Sequence, residues 1–380
     1  MRIKHLTLAC SLAMLSTSSI AASQASDIDF HFSGSINTVL LYDTDVAGVG
    51  INIPGTALLA APSENSDTKI DASLSQIRFG TSQTLADGSG LRSHVVMDFN
   101  ENNDSGMSPR LREAYVAWTM EQGQLLAGQT WSTYMDLRNI PQSVAEATVS
   151  GAAFMRQPLV RWTQNSGEFK YDIALESSTN DGINIPNEVA DKLDKSGSSP
   201  AIALAAEWAN QSAWVRATSV FNELRVTNEG DTHRQWGYGV QLSAGWDITA
   251  QDRITLLGNV GEGTDRYLVG LAGVGATWNE TSQELDLRGT RTLLSTYTRA
   301  WQDDLKSIFA YGKVSAEPLD NQSEVNPVTL NSTQYGMANL LWSVTPNLTL
   351  GGEYSYSKYK LYDSTERDNH RVMLGMNWQY

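Results

Sequence analysis

Short segments in which apolar and polar residues alternate recur along almost the whole chain, from Phe30 to Tyr380. This period of two places every second side chain on the same face of an extended strand. Short joints lie at Ala86–Gly90, Glu121–Gln124, Asn165–Glu168, Ala209–Ser212, Thr249–Asp252, Gln302–Asp304 and Thr345–Asn347. Between them are long polar joints at Asp43–Thr68, Asn100–Pro109, Trp131–Arg156, Ser178–Ser199, Glu223–Arg234, Glu262–Ser282, Glu317–Asn331 and Tyr362–Asp368. This rhythm predicts an all-β, transmembrane, antiparallel up-and-down β-barrel, with short periplasmic turns and long extracellular loops.

About sixteen strands fit this rhythm, an even number, as a barrel with both chain ends in the periplasm requires. A tilted strand needs about 9–11 residues to cross the hydrocarbon. In 70–82 the apolar face switches between Leu74 and Ile77, and 283–301 changes face midway, so we expect local β-bulges there. The strands are predicted near residues 29–42, 70–82, 90–100, 110–121, 123–131, 157–165, 168–178, 200–210, 212–223, 235–249, 252–262, 283–301, 304–317, 332–345, 347–361 and 369–380.

The apolar face of the clearest strands has the composition of a lipid-facing surface. Aromatic girdles around an aliphatic band are typical of outer-membrane barrels. In 235–249 the apolar face carries aromatic residues near both ends: Trp236, Tyr238, Val240, Leu242, Ala244, Trp246 and Ile248. The last strand alternates in the same way and ends the chain on an aromatic residue; its apolar face is Val372, Leu374, Met376, Trp378 and Tyr380. These strands favour a membrane barrel over the alternative of a secreted soluble β-protein.

The first residues are predicted to be a secretory signal peptide. Arg2 and Lys4 supply a positively charged start, Leu6–Leu15 a short apolar run, and Ser19–Ala25 the small residues that cleavage requires. We therefore expect a signal peptide over residues 1–22, with cleavage between 21 and 25, and a barrel domain over residues 27–380. This leader places the protein in the bacterial outer membrane once the barrel pattern is taken into account.

Charge and composition exclude several classes of partner. The chain has 27 Lys and Arg and 42 Asp and Glu residues, and two of the basic residues lie in the leader. The mature chain therefore carries 25 basic and 42 acidic residues, a net charge of −17. This argues against nucleic acid, or anionic lipid in general, as a partner. The single cysteine, Cys10, lies in the leader, and no cofactor or metal is expected; outer-membrane lipid is expected to surround the barrel.

The third long joint, residues 131–156, differs from the others because apolar residues are spread through it: Tyr134, Met135, Leu137, Ile140, Val144, Val149 and Phe154. Such a loop needs a surface to pack on, and a sixteen-stranded barrel has a lumen wide enough to accept it. We expect this loop to fold inward and narrow the pore, as a constriction loop. The alternative is an external loop that packs on its neighbours.

The sequence around this loop resembles a known family. Leu125–Asp136 (LLAGQTWSTYMD) and Phe154–Trp162 (FMRQPLVRW) are similar to segments of the DcaP-like outer-membrane porins, and they occur in the same order. The resemblance implies a trimeric, sixteen-stranded porin that admits small anionic solutes, dicarboxylates among them. Some members carry an N-terminal coiled coil before the barrel. Because no heptads precede Asp27–His31 here, we expect the barrel alone.

Arginines on and near the constriction loop are the candidate selectivity residues. The predicted constriction and substrate site consists of Arg138, Arg156, Arg161, Arg92 and Arg216, together with Trp131, Tyr134 and Asp136. Arg78 and Arg112 also face the lumen if the strand register allows it. The alternative for each arginine is a structural ion pair with a carboxylate such as Asp136, Glu146 or Asp98.

Arginine suits this task because its planar guanidinium group stays charged and binds carboxylates through two parallel hydrogen bonds. Acidic residues in the outer loops act weakly at the constriction, since salt screens exposed charges beyond about 8 Å at physiological ionic strength. A charge pair about 4 Å apart is worth about 1 kcal/mol in bulk water but about 4 kcal/mol at an effective dielectric constant near 20. A few arginines at the narrow point can therefore outweigh many remote carboxylates.

These observations predict an outer-membrane porin, not an enzyme, that passes small hydrophilic solutes by passive diffusion and prefers anions such as dicarboxylates. A non-selective or cation-preferring general porin is one alternative. An outer-membrane β-barrel enzyme, a lipase or a protease, is another. The sequence contains neither G-x-S-x-G nor H-E-x-x-H. The histidines after the leader are His31, His94, His233 and His370.

Overall fold

The computed structural model describes residues 27–45, 66–100, 108–146, 149–179, 182–186, 189–195, 199–269, 275–318 and 330–380. The predicted signal peptide and its cleavage site lie outside the described residues and stay predictions. Within the described ranges the helices are two short 3-10 turns, Leu137–Asn139 and Asp265–Tyr267. No helix in these ranges is long and apolar enough to cross a membrane.

The described residues form sixteen long strands in one antiparallel sheet, as the alternation predicts. The second of these strands is interrupted. A short additional segment, Leu193–Asp194, pairs with Thr227 and Asn228 at the end of the ninth strand. The strands are β1 Asp29–Asp43, β2 Asp67–Asp71 continued by Gln76–Thr84, β3 Gly90–Asp98, β4 Arg110–Thr119, β5 Gly123–Trp131, β6 Arg156–Ser166, β7 Phe169–Glu176, β8 Ala201–Ala209, β9 Ala213–Asn228, β10 Asp231–Asp247, β11 Asp252–Glu262, β12 Gly289–Gln302, β13 Leu305–Ala316, β14 Leu330–Thr345, β15 Leu348–Leu361 and β16 Glu366–Gln379.

The sheet closes into a barrel because the last strand pairs with the first. The register of β1 and β16 runs from Ser35 opposite Gln379 to Asp43 opposite Arg371. Closure leaves no strand edge with unpaired backbone groups, which a sheet that spans hydrocarbon requires. The predicted closed up-and-down barrel is confirmed.

The two faces of each strand lie in different surroundings, as a period of two requires. In β10, Trp236, Val240 and Trp246 point outward and are exposed, whereas Gln241 and Ser243 point inward and are buried inside the barrel. Outward apolar side chains meet lipid, and inward polar ones meet water or the constriction loop, so both faces lie in a favourable environment.

The prediction of a long loop at Glu223–Arg234 is wrong. β9 and β10 continue in register to a two-residue turn at Glu229 and Gly230, which have φ angles of 47° and 97°. A turn with positive φ at both positions matches the twist of a hairpin. The outer ends of these strands bury Leu224 and Val226 against neighbouring loops. These strand ends do not face lipid. Their sequence therefore lacks the alternating apolar residues that identify the other strands.

The irregularity predicted near Leu74 is confirmed. β2 is interrupted between Asp71 and Gln76. There the Asp71 carboxylate accepts hydrogen bonds from the backbone N–H and the hydroxyl of Ser73, at 2.7 and 2.6 Å. This local turn changes the phase of the alternation, which accounts for the switch of the apolar face.

The strand predicted to begin at residue 283 starts later. Glu284–Leu287 belongs to a separate small sheet with Ala276–Asn279 and Ile183–Asn184, and β12 begins at Gly289. The segment therefore passes from one sheet to another, which explains its change of face without a bulge at that point.

A buried ion pair joins β1 to β16. Nε and Nη2 of Arg371 donate to the two carboxylate oxygens of Asp43 at 2.7 and 2.8 Å, and both side chains are buried. We predict that Arg371→Ala destabilises the barrel by about 3–5 kcal/mol, because an unpaired charge is then left buried. The temperature at which the unboiled electrophoretic band converts to the unfolded band measures this loss.

The double variant Asp43→Leu/Arg371→Met is the matched control for this pair. It should regain most of the lost stability, since the carboxylate hydrogen-bonded to Arg371 is removed together with the arginine. An Arg371→Ala barrel as heat-resistant as the unmodified protein would show that the pair contributes nothing.

Candidate functional site

The constriction loop, residues 131–156, folds into the barrel, as predicted. The backbone carbonyl of Tyr134 accepts hydrogen bonds from Thr218 on β9 and from Gln241 on β10, both at 3.0 Å. The Tyr134 hydroxyl accepts another from Asn259 on β11. The first part of the loop is therefore attached to the inner face of β9–β11.

The tip of the loop reaches a different part of the wall. Glu353 on β15 accepts hydrogen bonds from the backbone N–H of Val144 at 3.0 Å and from the hydroxyl of Ser143 at 2.8 Å. Asn339 on β14 donates to the carbonyl oxygen of Gln142 at 2.9 Å. The loop thus extends from β5 across the lumen to β14 and β15, and it narrows the path for solutes.

Glycines in the wall allow this close approach. A Cβ atom at Gly312 would lie 1.8 Å from the carbonyl oxygen of Ser150, and one at Gly375 would lie 2.3 Å from a methyl carbon of Val144. Burial of the loop's apolar side chains against the wall stabilises the inward conformation. The apolar contacts join Val144, Val149 and Ala152 of the loop to Leu257, Leu294, Ile308, Met337 and Leu341 of the wall.

A β-bulge on β4 turns two consecutive charged residues into the barrel. The register of β3 and β4 shifts by one residue at Arg112, which has no cross-strand partner on β3. Arg112 forms ion pairs with Asp98 and with Glu146 of the loop. Glu113 accepts a hydrogen bond from Thr130 at 2.6 Å. Bulges re-aim side chains in this way beside functional sites, and here the register places Arg112 in the lumen.

Arginines outnumber carboxylates around this bulge. Arg110 and Arg112 each approach the same oxygen of Asp98 at 2.6 Å. Glu146 pairs with Arg112 and lies 3.6 Å from Arg110 and 4.0 Å from Arg156. Three guanidinium groups thus share two carboxylates, and the group keeps a positive charge where the loop tip meets β4.

Further arginines extend this group along the wall. Arg78 donates to Gln76 at 2.7 Å, and Arg161 donates to the carbonyl oxygen of Trp131 at 3.5 Å; within the described ranges neither has a carboxylate at salt-bridge distance. The exposed side chain of Arg92 donates to the Tyr115 hydroxyl at 3.1 Å. We define the arginine wall as Arg78, Arg92, Arg110, Arg112, Arg156 and Arg161. Among the described residues, the carboxylates at salt-bridge distance from its members are Asp98 and Glu146.

A cavity of about 570 Å³ lies next to the loop, towards the rim of the short turns. This volume is within the range of small-molecule sites. Its walls carry equal numbers of cations and carboxylates, apart from His94. The cations are Arg138, Arg161, Lys170 and Arg216, and the carboxylates are Glu113, Asp136, Asp172 and Glu207.

Two of the predicted arginines, Arg138 and Arg216, are ion-paired with the same carboxylate, Glu207. Glu207 on β8 lies 2.7 Å from Arg138, 3.2 Å from Arg216 and 3.3 Å from Lys170. Arg216 also pairs with Asp172 at 2.9 Å. For these two residues the structure shows the ion-paired alternative that the sequence left open. The ion pairs attach the loop to β7–β9. They leave little uncompensated charge in this part of the lumen.

The remaining predicted residues divide between the cavity and the loop attachment. Trp131 lines the cavity, and the guanidinium group of Arg156 stacks over its ring at 4.6 Å. Asp136 is buried and accepts a hydrogen bond from Ser243 at 2.7 Å. Tyr134 is fully buried between the loop and the wall, so it holds the loop and does not line open water.

Sequence reasoning did not single out Arg110, Lys170, Glu176 or Glu207. Glu176 on β7 attaches the start of the loop through hydrogen bonds from Ser132, Thr133 and Gln157. Lys170 and Glu207 could have been found by alternation alone. Lys170 lies between the exposed Phe169 and Tyr171, and Glu207 follows the exposed Ala206 on the opposite face of its strand. Alternation also places Glu176 on the inner face of its strand, but its role depends on where the loop crosses the lumen.

The described residues offer no group of three or more His, Asp or Glu side chains that could hold a metal ion. At the rim of the short turns, His31 lies 2.8 Å from the Ser82 hydroxyl. No carboxylate of the described residues is hydrogen-bonded to that histidine, so the pair lacks the third member of a hydrolytic triad.

A closed sixteen-stranded barrel with an apolar outer surface and a charged loop in its lumen is the architecture of an outer-membrane porin. The chain belongs to the DcaP outer membrane protein family, which it matches over residues 4–380. It is therefore a channel-forming protein of the bacterial outer membrane, and its family and fold favour a channel over an enzyme.

Solved structures share this fold at low sequence identity. The outer membrane channel DcaP of Acinetobacter baumannii is 16% identical, with a TM-score of 0.77 over 93% of this chain and 97% of that chain. An anion-selective porin from Comamonas acidovorans is 11% identical, with a TM-score of 0.62 over 93% and 100%. The trimer form of OmpT of Vibrio cholerae is 12% identical, with a TM-score of 0.60 over 93% and 99%. No curated protein sequence matches this chain.

Proposed function

We propose that this porin passes small hydrophilic solutes by passive diffusion and prefers anionic ones, dicarboxylates among them. The observation that carries the proposal is the arginine wall, in which six arginines have two carboxylates of the described residues, Asp98 and Glu146, at salt-bridge distance. Excess positive charge beside a narrow, partly dehydrated passage attracts anions more strongly than the same charge does in bulk water.

The geometry supports a weak preference for anions. The cavity beside the loop, which includes Arg161, has balanced charges, so the bias comes from the members of the arginine wall outside the cavity. Arg78, Arg92 and Arg161 are the members best able to meet a solute carboxylate, since none of them has a carboxylate at salt-bridge distance within the described ranges. A guanidinium group binds a carboxylate through two parallel bonds, and a dicarboxylate has two such groups. The fold of an anion-selective porin from Comamonas acidovorans gives further support.

Liposome swelling tests this function. Liposomes that contain the protein are placed in isotonic solutions of an anionic, a neutral and a cationic solute of matched size. We expect the fastest swelling with the anionic solute and the slowest with the cationic one. In Arg78→Gln/Arg161→Gln the three rates should converge, because both substitutions remove charge without leaving a carboxylate unpaired. Equal rates, or the reverse order as in a cation-preferring porin, would refute the anion preference of the unmodified protein.

We also propose that the protein is a homotrimer. A solved trimer form of OmpT of Vibrio cholerae with the same fold supports this state. Analytical ultracentrifugation of the detergent-solubilised protein should give the mass of three chains, and a single-chain mass would refute it.

A further inference from the structure

Gln129 on β5 is a polar residue on the outer face of the barrel. It lies opposite Ala114 on β4 and Pro158 on β6. On the same face of β4 and β5, towards the short turns, the side chains are apolar and exposed: Val116, Trp118 and Leu125. An amide that faces hydrocarbon loses its hydrogen bonds to water, so it needs partners within the protein.

The partners of this amide are the backbone carbonyls of the β4 bulge. Nε2 of Gln129 donates to the carbonyl oxygen of Leu111 at 2.9 Å and to that of Arg112 at 3.3 Å. The pair Ala114–Gln129 is the outermost one of the β4–β5 ladder, so Leu111 and Arg112 have no residue paired with them on β5. One side chain on the outside therefore satisfies the backbone of the irregular segment that carries Arg112.

We propose that Gln129 is a positioning residue of the pore, which from the lipid side holds the bulge that turns Arg112 into the lumen. Without its amide the two carbonyls lose this donor on the apolar side of the barrel, which favours regular pairing without the extra residue. Glu113 is held inward by Thr130, so strict alternation would turn Arg112 outward. The effect on selectivity rests on the proposed function; the effect on the position of residue 112 does not.

Chemical access to positions 112 and 113 tests this directly. With Cys10→Ser the chain contains no cysteine, and Arg112→Cys or Glu113→Cys then introduces a single thiol. A charged, water-soluble methanethiosulfonate reagent should react at both positions when Gln129 is present. Adding Gln129→Met should abolish the reaction at 112 and leave that at 113 unchanged. Undiminished reaction at 112 with Gln129→Met, or none at 112 with Gln129 intact, would overturn the inference.

The reversal potential in a salt gradient gives a second readout that a merely structural role would not move. Gln129→Met should shift it in the same direction as Arg112→Gln, and the double variant should shift it no further than Arg112→Gln alone. Full additivity of the two shifts would overturn the inference. Gln334→Met, which removes another outward glutamine that contacts the Tyr311 hydroxyl, is the control and should cause no shift. If the unmodified channel proves not to prefer anions while position 112 still loses its reactivity, the proposed function fails and this inference stands.

Discussion

Glu353→Ala is expected to widen the channel. Glu353 on β15 accepts hydrogen bonds from Ser143 and Val144 at the loop tip and from Asn339 on β14. Hydrogen bonds to charged groups contribute about 1.5–3 kcal/mol each, so their loss should release the tip from the wall. We expect a larger single-channel conductance in planar bilayers and faster liposome swelling with sugars that the unmodified channel excludes.

The matched control removes a carboxylate that does not touch the loop. Glu366 on β16 is exposed and pairs with Lys358 at 2.7 Å on the outer face. Glu366→Ala should leave the conductance unchanged. If Glu353→Ala folds into a heat-resistant barrel with unaltered conductance, the tip of the loop is not what limits the passage.

Arg112→Glu is expected to reduce or reverse the preference for anions. Arg112 is the buried member of the arginine wall, and it pairs with both Asp98 and Glu146. Its charge reversal removes one positive charge from the arginine wall, adds one negative charge, and leaves Asp98 and Glu146 with fewer partners. Because these charges lie in a partly dehydrated passage, their effect on permeant ions is large. The reversal potential in a potassium chloride gradient should move towards that of a cation-preferring channel.

The control reverses an arginine far from the loop. Arg253 pairs with Asp247 at the rim of the short turns and is exposed. Arg253→Glu changes the total charge by the same amount but should leave the reversal potential nearly unchanged at physiological salt, since exposed charges there are screened. Equal shifts in the two variants would mean that overall charge, and not the arginine wall, sets the selectivity.

The strands could be predicted from the sequence because lipid and water impose opposite demands on neighbouring side chains. β11 was predicted at 252–262 and extends from Asp252 to Glu262. β5 was predicted at 123–131 and has those bounds as well. The inward fold of the constriction loop could be predicted for a related reason, since its apolar residues needed a surface to cover them.

The hairpin at Glu229 and Gly230 could not be predicted in the same way. Its strands extend beyond the lipid, where no apolar outer face marks them, and they are covered by other loops instead. The side to which Arg112 points was equally hidden, because it depends on one extra residue in the pairing of β3 with β4. A shift of one residue reverses the direction of every side chain beyond it. No residue pattern in the sequence indicated this shift.

The partners of the arginines also depend on the three-dimensional arrangement. Arg138 and Arg216 meet at Glu207, which lies 69 residues from one and 9 from the other along the chain. Alternation shows that Glu207 faces the lumen, but not the height at which the loop passes it. The sequence therefore predicts which charges face the lumen better than which of them remain uncompensated.

Planar-bilayer recording of the unmodified, detergent-purified protein in a salt gradient tests most directly whether the chain encloses a water-filled passage bordered by the arginine wall. We expect discrete, long-lived conductance steps and a reversal potential whose sign indicates a higher permeability for anions than for cations. Protein that produces no steps and stays dispersed without detergent would contradict the closed barrel. Steps with a reversal potential on the cation side would contradict the role given to the arginines.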